Sequence, residues 1–332
     1  MTWTERPLCD LHIHVGASVA PHIMWSIAHE QGLKLPVRNY WEFVELITVD
    51  PSRVRTLEDY LRILHEWTEK IQSSPGAIER SVYEIIGKEY RSSRVEQIEL
   101  RFNPMKRNLR GERDLDHIIH AALRGMDRAC MEYGIKGGLI FCLAREFDAE
   151  VNGIVLDKAI RYHHRGVVGI DLAGTEKNAI ELNDSVGRYA EIFQEARDAG
   201  LGTTIHTGEP TATSGEGVIA VVEKLKPDRI GHGIRAAFSQ QAMDSLAESG
   251  TVLEICPTSN LHTRAVSRIE DFVTILDNFK RGGVQFTINT DGTYLCGTNL
   301  RREFRILIDA GALSLEEAER SRALAFEVSF LR

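Results

Sequence analysis

Residues 10–18 read DLHIHVGAS, a short apolar stretch that holds two histidines one residue apart. In an extended strand alternate side chains point to the same face, so His12 and His14 project together while Leu11 and Ile13 point the other way. Imidazole is the commonest metal ligand, but histidine pairs also occur often without a metal. The pair alone therefore leaves two interpretations open, a metal site and a chance spacing.

Seven further apolar runs of this kind follow along the chain. Small or polar residues come after each run, and stretches with apolar residues three and four apart lie between the runs, as in amphipathic helices. The eight predicted strands cover residues 7–14, 95–103, 134–144, 166–174, 200–208, 228–233, 250–257 and 283–292. Strands that alternate with helices indicate right-handed βαβ units and a parallel sheet. The pattern predicts an α/β fold, a (β/α)8 TIM-type barrel, with a doubly wound open sheet as the competitor.

The segment between the first two strands is too helical for a single crossover. Residues 20–90 predict several extra helices inserted after the first strand, as a lid over the barrel mouth. No repeat, low-complexity tract or Pro-rich linker divides the chain. We therefore expect residues 1–332 to form one domain with a helical insertion at about 20–90.

Composition argues against several classes of protein. A net charge of −8 disfavours nucleic acid or an anionic membrane as the main partner. No apolar run approaches a membrane span, and the first residues lack the apolar core of a signal peptide. The five cysteines are scattered, without a C-x-x-C pair, as in reduced cytoplasmic proteins. A cytoplasmic protein with a small-molecule partner is expected, and a homo-oligomer stays open.

Several predicted strands end in, or contain, a side chain that can bind a metal: His12, His14, His206, His232 and Asp291. In a barrel, functional residues gather at the carboxyl ends of the strands. Three imidazoles and one carboxylate suit a divalent transition metal, with zinc favoured by the ligand type. Zinc would lower the pKa of a bound water to roughly 7. Glu209, three residues after His206, is placed to act as acid and base.

Six motifs carry a resemblance to a known family, namely DLHIH, GIDLAGTE, TIHTGEP, RIGHGIR, LEICPTSN and TINTDG. In their order and approximate spacing, from residue 8 to the C-terminal FEVSFLR, they resemble the adenosine/AMP deaminase family of metal-dependent amidohydrolases. The resemblance implies one zinc ion per chain, held by His12, His14, His206 and Asp291.

The resemblance also implies a reaction, the hydrolytic deamination of a 6-aminopurine. Hydroxide adds to C6 of the purine, Glu209 protonates N1, and ammonia leaves. His232 orients the hydroxide, Asp291 flanks it and helps to accept its proton, and the backbone of Gly174 meets the purine base.

Two glycines depart from the pattern of adenosine deaminases. Gly16 stands where those enzymes carry an acid that meets the ribose 5′-hydroxyl, and Gly292 stands where they carry an aspartate that contacts N7. One interpretation is drift, with a water or Thr293 filling the gap. The other is a widened pocket for a purine nucleoside with a modified 5′ position, such as a 5′-deoxy, 5′-thio or aminofutalosine-type adenosine.

Other residues and other functions stay open. Asn103 and Arg145 follow predicted strands and, with His14, are candidates for substrate contact, or else structural partners. Free adenine and AMP are alternative substrates. Relatives that hydrolyse amides, lactones or phosphoesters often use two metals and a carboxylated lysine, but no lysine ends a predicted strand here. A non-catalytic binding protein would have lost a ligand or Glu209, and neither is lost.

Overall fold

The computed structural model describes residues 5–50, 52–54, 56–109, 112–209 and 213–331. Its eight parallel strands form one sheet in the order β1 to β8. In that order they cover Leu8–His14, Val95–Phe102, Lys136–Ala144, Val167–Ala173, Gly202–Thr207, Arg229–His232, Val252–Ile255 and Phe286–Ile288. Each strand lies within a stretch that the sequence predicts, so the (β/α)8 barrel is confirmed.

Helices separate the strands, and the first crossover is the longest. Between β1 and β2 the described chain contains α1 to α6, which cover Val15–Ser18, Pro21–Glu30, Tyr40–Ile47, Leu57–Ile63, Glu69–Ile71 and Pro75–Ser93. A π-helical turn over Leu64–Thr68 joins α4 to α5. The predicted helical insertion after the first strand is therefore present.

Nine more α-helices follow β2 in the described ranges. α7 to α15 cover Leu115–Tyr133, Ala149–Arg161, Val186–Asp198, Ser214–Lys224, Gln240–Ser249, Pro257–His262, Asp271–Arg281, Leu300–Asp309 and Leu315–Glu327. Their apolar stripes pack on the barrel. In α13, for example, the buried residues Phe272, Ile275, Leu276 and Phe279 recur at the spacing of one helix face. Short 3₁₀ helices add Pro104–Arg107, His163–Arg165, Ile180–Leu182 and Ile234–Phe238.

The barrel closes between β1 and β8 at a single point. β8 ends at Ile288, earlier than the sequence predicts, and the seam is made instead by an isolated parallel bridge between Ile13 and Asp291. The Asp291 amide donates to the His12 carbonyl, and the His14 amide donates to the Asp291 carbonyl, both at 2.7 Å. Asp291 has φ of 61°, a left-handed conformation that is uncommon for a residue with a side chain. The seam thus passes through three of the predicted metal ligands.

The amino ends of the strands are covered by the segment after α15. The Phe330 ring lies against the Arg229 guanidinium, 3.6 Å from the ring centroid, and the Phe330 amide donates to Glu99. A Cβ at Gly202 would lie 2.3 Å from this ring, so only glycine leaves room for it.

The structure also bears on the predictions about cysteines and membrane-spanning segments. The five cysteines are free thiols, and four of them are buried. Across the described ranges, no helix combines the length and the apolar character that a membrane crossing needs.

Candidate active site

Four histidine rings converge at the carboxyl ends of β1, β5 and β6. The ring centroid of His12 lies 4.6 Å from that of His206, 5.0 Å from that of His232 and 5.3 Å from that of His14. The Nε2 atoms of His14 and His206 are 3.1 Å apart. Asp291 Oδ1 lies 3.4 Å from His14 Nε2 and 3.8 Å from His12 Nε2. The four predicted metal ligands therefore lie together, with Asp291 beside the rings of His12 and His14.

The donor atoms of this cluster fit a metal ion. One ligand atom from each of His12, His14 and His206 lies within 4.8 Å of the others. His12 Nε2 is buried and has no hydrogen-bond partner, and leaving such an atom unpaired costs free energy. Burial is the main cause that lowers the pKa of His12 and of His14 well below the usual range. Both rings are therefore neutral near pH 7, which is the form that binds metals.

Carboxylates inside the barrel fix the orientation of two of these rings. Glu254 Oε2 lies 2.7 Å from His12 Nδ1, and Asp171 Oδ1 lies 3.0 Å from His206 Nδ1. A carboxylate that accepts from Nδ1 selects the tautomer whose lone pair is on Nε2, and it makes the ring a stronger ligand. The Nδ1 atoms of His12 and His206 are thus hydrogen-bonded to carboxylates, and their Nε2 atoms face the cluster.

These two carboxylates belong to a larger group of buried charges, which we call the interior charge network: Glu99, Arg101, Asp171, Arg229 and Glu254. Arg101 lies 3.1 Å from Asp171 and 2.9 Å from Glu254. Arg229 joins Glu254, at 2.8 Å, to Glu99. Branched aliphatic residues usually fill the interior of such barrels. Our sequence analysis missed this network, although a charged residue inside an apolar strand, as in IELRF, is a visible signal.

Glu209 lies beside the histidine cluster as a buried carboxyl group. Its Oε1 accepts from Thr263 Oγ1 at 2.7 Å and from Asn260 Nδ2 at 3.1 Å, and its Oε2 lies 3.7 Å from His232 Nε2. Burial, with a contribution from the nearby Asp291, raises the pKa of Glu209 to about 7. The carboxyl group can therefore both hold and release a proton near neutral pH. The sequence analysis missed Asn260 and Thr263, because their contacts with Glu209 depend on the orientation of α12.

His232 is held in an unusual conformation next to Glu209. Its φ is 64°, and Asn260 Nδ2 lies 3.0 Å from its Nδ1. Because the amide nitrogen can only donate, Nδ1 accepts and the ring proton is on Nε2, toward Glu209. Burial lowers the pKa of His232 to about 4, so this ring is a neutral donor.

A cleft begins at this cluster and runs under the inserted helices. Its inner end is lined by His14, His206, Glu209, His232 and Asp291, and its outer end by residues of α4, the π-helical turn and the 3₁₀ helix at Pro104–Arg107. A single chamber therefore joins the candidate metal ligands to the helical insertion.

The comparisons with known proteins agree with this geometry. The chain matches the adenosine deaminase family model over residues 7–332. It belongs to the adenosine deaminase family. It is therefore a hydrolase that acts on C–N bonds, from a family of metal-dependent amidohydrolases that deaminate purines by hydrolysis.

Relatives lie at moderate sequence identity. An adenosine deaminase of Shewanella woodyi is 32% identical over 330 residues, 99% of this chain and 96% of that protein. The adenine deaminase of Arthrobacter aurescens has the same fold, with a TM-score of 0.86 at 21% identity over 98% of this chain and 94% of that one. An amidohydrolase from Burkholderia ambifaria, solved with bound Zn, has a TM-score of 0.81 at 19% identity. The match covers 100% of this chain and 89% of that one.

Four predicted substrate contacts of this deaminase line the cleft, namely His14, Gly16, Asn103 and Gly174. Gly174 follows β4 with φ of 104°, and a Cβ there would lie 2.6 Å from the Glu146 carboxylate. Asn103 follows β2; its Oδ1 accepts from the Lys106 amide, and its Nδ2 is buried without a partner. Arg145, the other candidate after a strand, does not line the cleft. Its guanidinium is buried against Glu181, with two contacts of 3.1 Å.

The two unusual glycines of this deaminase face side chains. A Cβ on Gly16 would lie 3.3 Å from Arg107 Nη2 and within 3.6 Å of Leu64 and Glu69. A Cβ on Gly292 would lie 2.7 Å from the buried Tyr60 hydroxyl. Gly292 itself does not line the cleft, whereas Tyr60 does. Neither glycine leaves an open space, and sequence analysis missed both Arg107 and Tyr60.

Proposed function

We propose that this protein is a zinc-dependent deaminase that converts a 6-aminopurine nucleoside, adenosine or a 5′-modified adenosine, to the 6-oxopurine and ammonia. The position of Glu209 carries the proposal. It is a buried carboxyl group with a pKa of about 7, and it faces the same cleft as His14, His206 and Asp291. Replacing a ring amino group by oxygen needs such a group to move protons.

The residues that would hold the zinc ion are His12, His14, His206 and Asp291. This donor set is typical of zinc, and the unpartnered His12 Nε2 supports a metal at this point. When bound, zinc supplies a Lewis acid that makes water nucleophilic near neutral pH. The zinc in the Burkholderia structure supports the choice of metal.

Proton transfer is the task of Glu209. The oxygen of water bonds to C6, one of its protons goes to Glu209, and the carboxyl group delivers a proton to N1, so that negative charge does not build up on the ring. The second proton of the water, on the new C6 hydroxyl, goes to the amino group, so that the C–N bond breaks, ammonia leaves and the oxygen stays as the 6-oxo group. His232, with its proton on Nε2, donates to the attacking oxygen, and Asn260 holds both side chains.

The shape of the cleft supports a nucleoside over the free base. The lining of the cleft continues outward past the catalytic end to Leu57 and Lys106. A substituent on N9, across the purine from the amino group, would occupy this outer end. The similarity to an adenine deaminase structure keeps adenine as the second candidate.

The test is a panel of adenine, adenosine, AMP, 5′-deoxyadenosine and 5′-methylthioadenosine, ranked by kcat/KM from the fall in absorbance at the purine maximum. Glu209→Gln should retain the metal while kcat falls by about 10²- to 10⁴-fold, because only the proton transfer is removed. Glu216→Gln, an exposed residue of α10, is the matched control and should change neither.

Two results would contradict the proposal. If fully metal-loaded protein deaminates none of the five compounds, the reaction is wrong. If Glu209→Gln loses the metal together with activity, Glu209 is a ligand and its role as the proton carrier is wrong.

A further inference from the structure

We propose that the outer end of the cleft is a subsite for a negatively charged group, a carboxylate or a phosphate, which the substrate carries on the side away from its amino group. Arg107 is the main binding residue, and Asn103 and Lys106 contribute. The inference rests on the proposed deamination and specifies which nucleosides the site takes.

Arg107 is a buried cation with few partners. Only 1% of its surface is exposed, and in the described part of the chain its one polar contact is an ion pair of Nη1 with Glu69, at 3.0 Å. The geometry of that contact does not make a hydrogen bond, and both Nε and Nη1 are buried without one. A guanidinium has five N–H donors, so most of its binding capacity is unused.

The donors near Arg107 are also unpaired. In the 3₁₀ helix and the residue before it, the buried side-chain atoms without partners are Asn103 Nδ2 and Arg107 Nε and Nη1, and all of them donate. Lys106 also lines the cleft, and its ammonium donates one long hydrogen bond, of 3.5 Å, to Glu146. A group of buried donors without acceptors suits a ligand with several acceptor oxygens, and anionic oxygens bind such donors most strongly.

Glu69 does not remove this capacity. It lies between the Arg107 guanidinium and His65, whose Nδ1 is 2.7 Å from Glu69 Oε2. One carboxylate therefore offsets the charge of one cation on the α5 side. The face of Arg107 toward Gly16 is left for the ligand, and the Lys106 ammonium, which donates to Glu146 at 3.5 Å, has two further N–H donors.

The position of Arg107 relative to the catalytic end makes it a substrate contact. Its Nη2 would be 3.3 Å from a Cβ at Gly16, two residues after the metal ligand His14. The amino group that leaves must lie by Glu209, so the part of the substrate that extends outward passes Gly16 and reaches Arg107. An acid at position 16 would compete with an anionic substrate for this guanidinium, and glycine avoids that competition.

Two probes of the same shape test the charge. Adenosine-5′-carboxylate and adenosine-5′-carboxamide differ by one negative charge, and the wild-type enzyme should favour the carboxylate in kcat/KM by about ten- to a hundredfold, as expected for hydrogen bonds to charged groups. Arg107→Met should reduce the ratio to near one. Arg107→Lys keeps the charge without the planar fork and should retain part of the preference. AMP, measured beside the carboxylate, distinguishes a phosphate from a carboxylate as the natural group.

Arg107→Met removes the cation that pairs with the half-buried Glu69, so the double variant Glu69→Gln/Arg107→Met is measured with it, and thermal melts verify folding. Gly16→Asp provides an independent variant that keeps Arg107, and its new carboxylate should also lower the ratio. A wild-type ratio near one, or a ratio that neither Arg107 variant nor Gly16→Asp changes, overturns the subsite. Adenosine serves as the reference: if it and both probes are inert, the proposed deamination fails, whereas equal turnover of the probes removes only the subsite.

Discussion

The barrel interior and the outer end of the cleft both contain buried charged side chains, but they differ in how these are paired. Each member of the interior charge network makes at least three polar contacts within the protein; Glu254, for example, contacts His12, Arg101 and Arg229. Arg107, at the outer end, has one ion pair and no hydrogen bond in the described chain. An unsatisfied buried donor costs about 1–3 kcal/mol, so the first arrangement serves positioning and the second is suited to a ligand.

The largest effect is expected where the proposed metal ligands meet the interior charge network. His206→Ala removes a ligand nitrogen and the partner of Asp171, so metal content and turnover should be lost together. Metal analysis and the absorbance assay measure both. His29→Ala, on the exposed end of α2, is the control and should keep both. Full activity in purified metal-free protein would rule out this account of the site.

A smaller loss of metal affinity is expected for Glu254→Gln, because Glu254 contacts the candidate ligand His12 and not the metal itself. Because His12 loses its charged partner, metal affinity should fall by about 10- to 100-fold. Because Arg101 and Arg229 lose a shared carboxylate, the free energy of unfolding should fall by about 3–5 kcal/mol. Metal competition and denaturant titrations test these values, with exposed Glu248→Gln as the control. If stability falls and metal affinity does not, the network is structural only.

The smallest effect is expected at the outer end, for Glu69→Gln. Burial opposes ionisation of Glu69, but Arg107 and His65 outweigh it and hold the pKa of this carboxyl below its ordinary value of 4.5. Its contribution to stability is therefore complete above about pH 4.5 and is lost as the pH falls further. The variant should lose about 1–3 kcal/mol at pH 7, and its stability should change less in acid.

Denaturant midpoints at pH 7 and pH 3.5 measure this difference. An acid dependence equal to that of the wild type would show that the Glu69–Arg107 pair is not stabilising. In that case the contrast between the two regions would be sharper still, since Arg107 would then have no effective partner inside the protein.

The residues at the strand ends and those at the outer end of the cleft also differ in how far the sequence predicts their positions. His12, His14, His206 and Asp291 could be brought together from the sequence because the carboxyl ends of parallel strands must meet at one face, so placing the strands also places these candidate ligands. The seam shows the limit of this reasoning, since β8 is shorter than predicted and Asp291 lies beyond it.

Arg107 and Glu69 were not accessible in this way. Their contact joins a 3₁₀ helix after β2 to the inserted helix α5, and no periodicity gives the placement of one crossover against another. The same holds for Tyr60, whose hydroxyl lies by Gly292. The sequence could show that two acids are absent, but only the packing of the insertion shows which side chains stand beside the glycines.

The seam between β1 and β8 also bears on how the enzyme assembles. His12 and Asp291 lie almost the whole chain apart, and their backbones meet only when the last strand reaches the first. Contacts between such distant residues are slow to form, because a long loop must close first. A nascent or partly folded chain can bring His12 and His14 together early, but it cannot offer the complete set of proposed ligands. Acquisition of full metal affinity during refolding would therefore mark the moment at which the barrel closes.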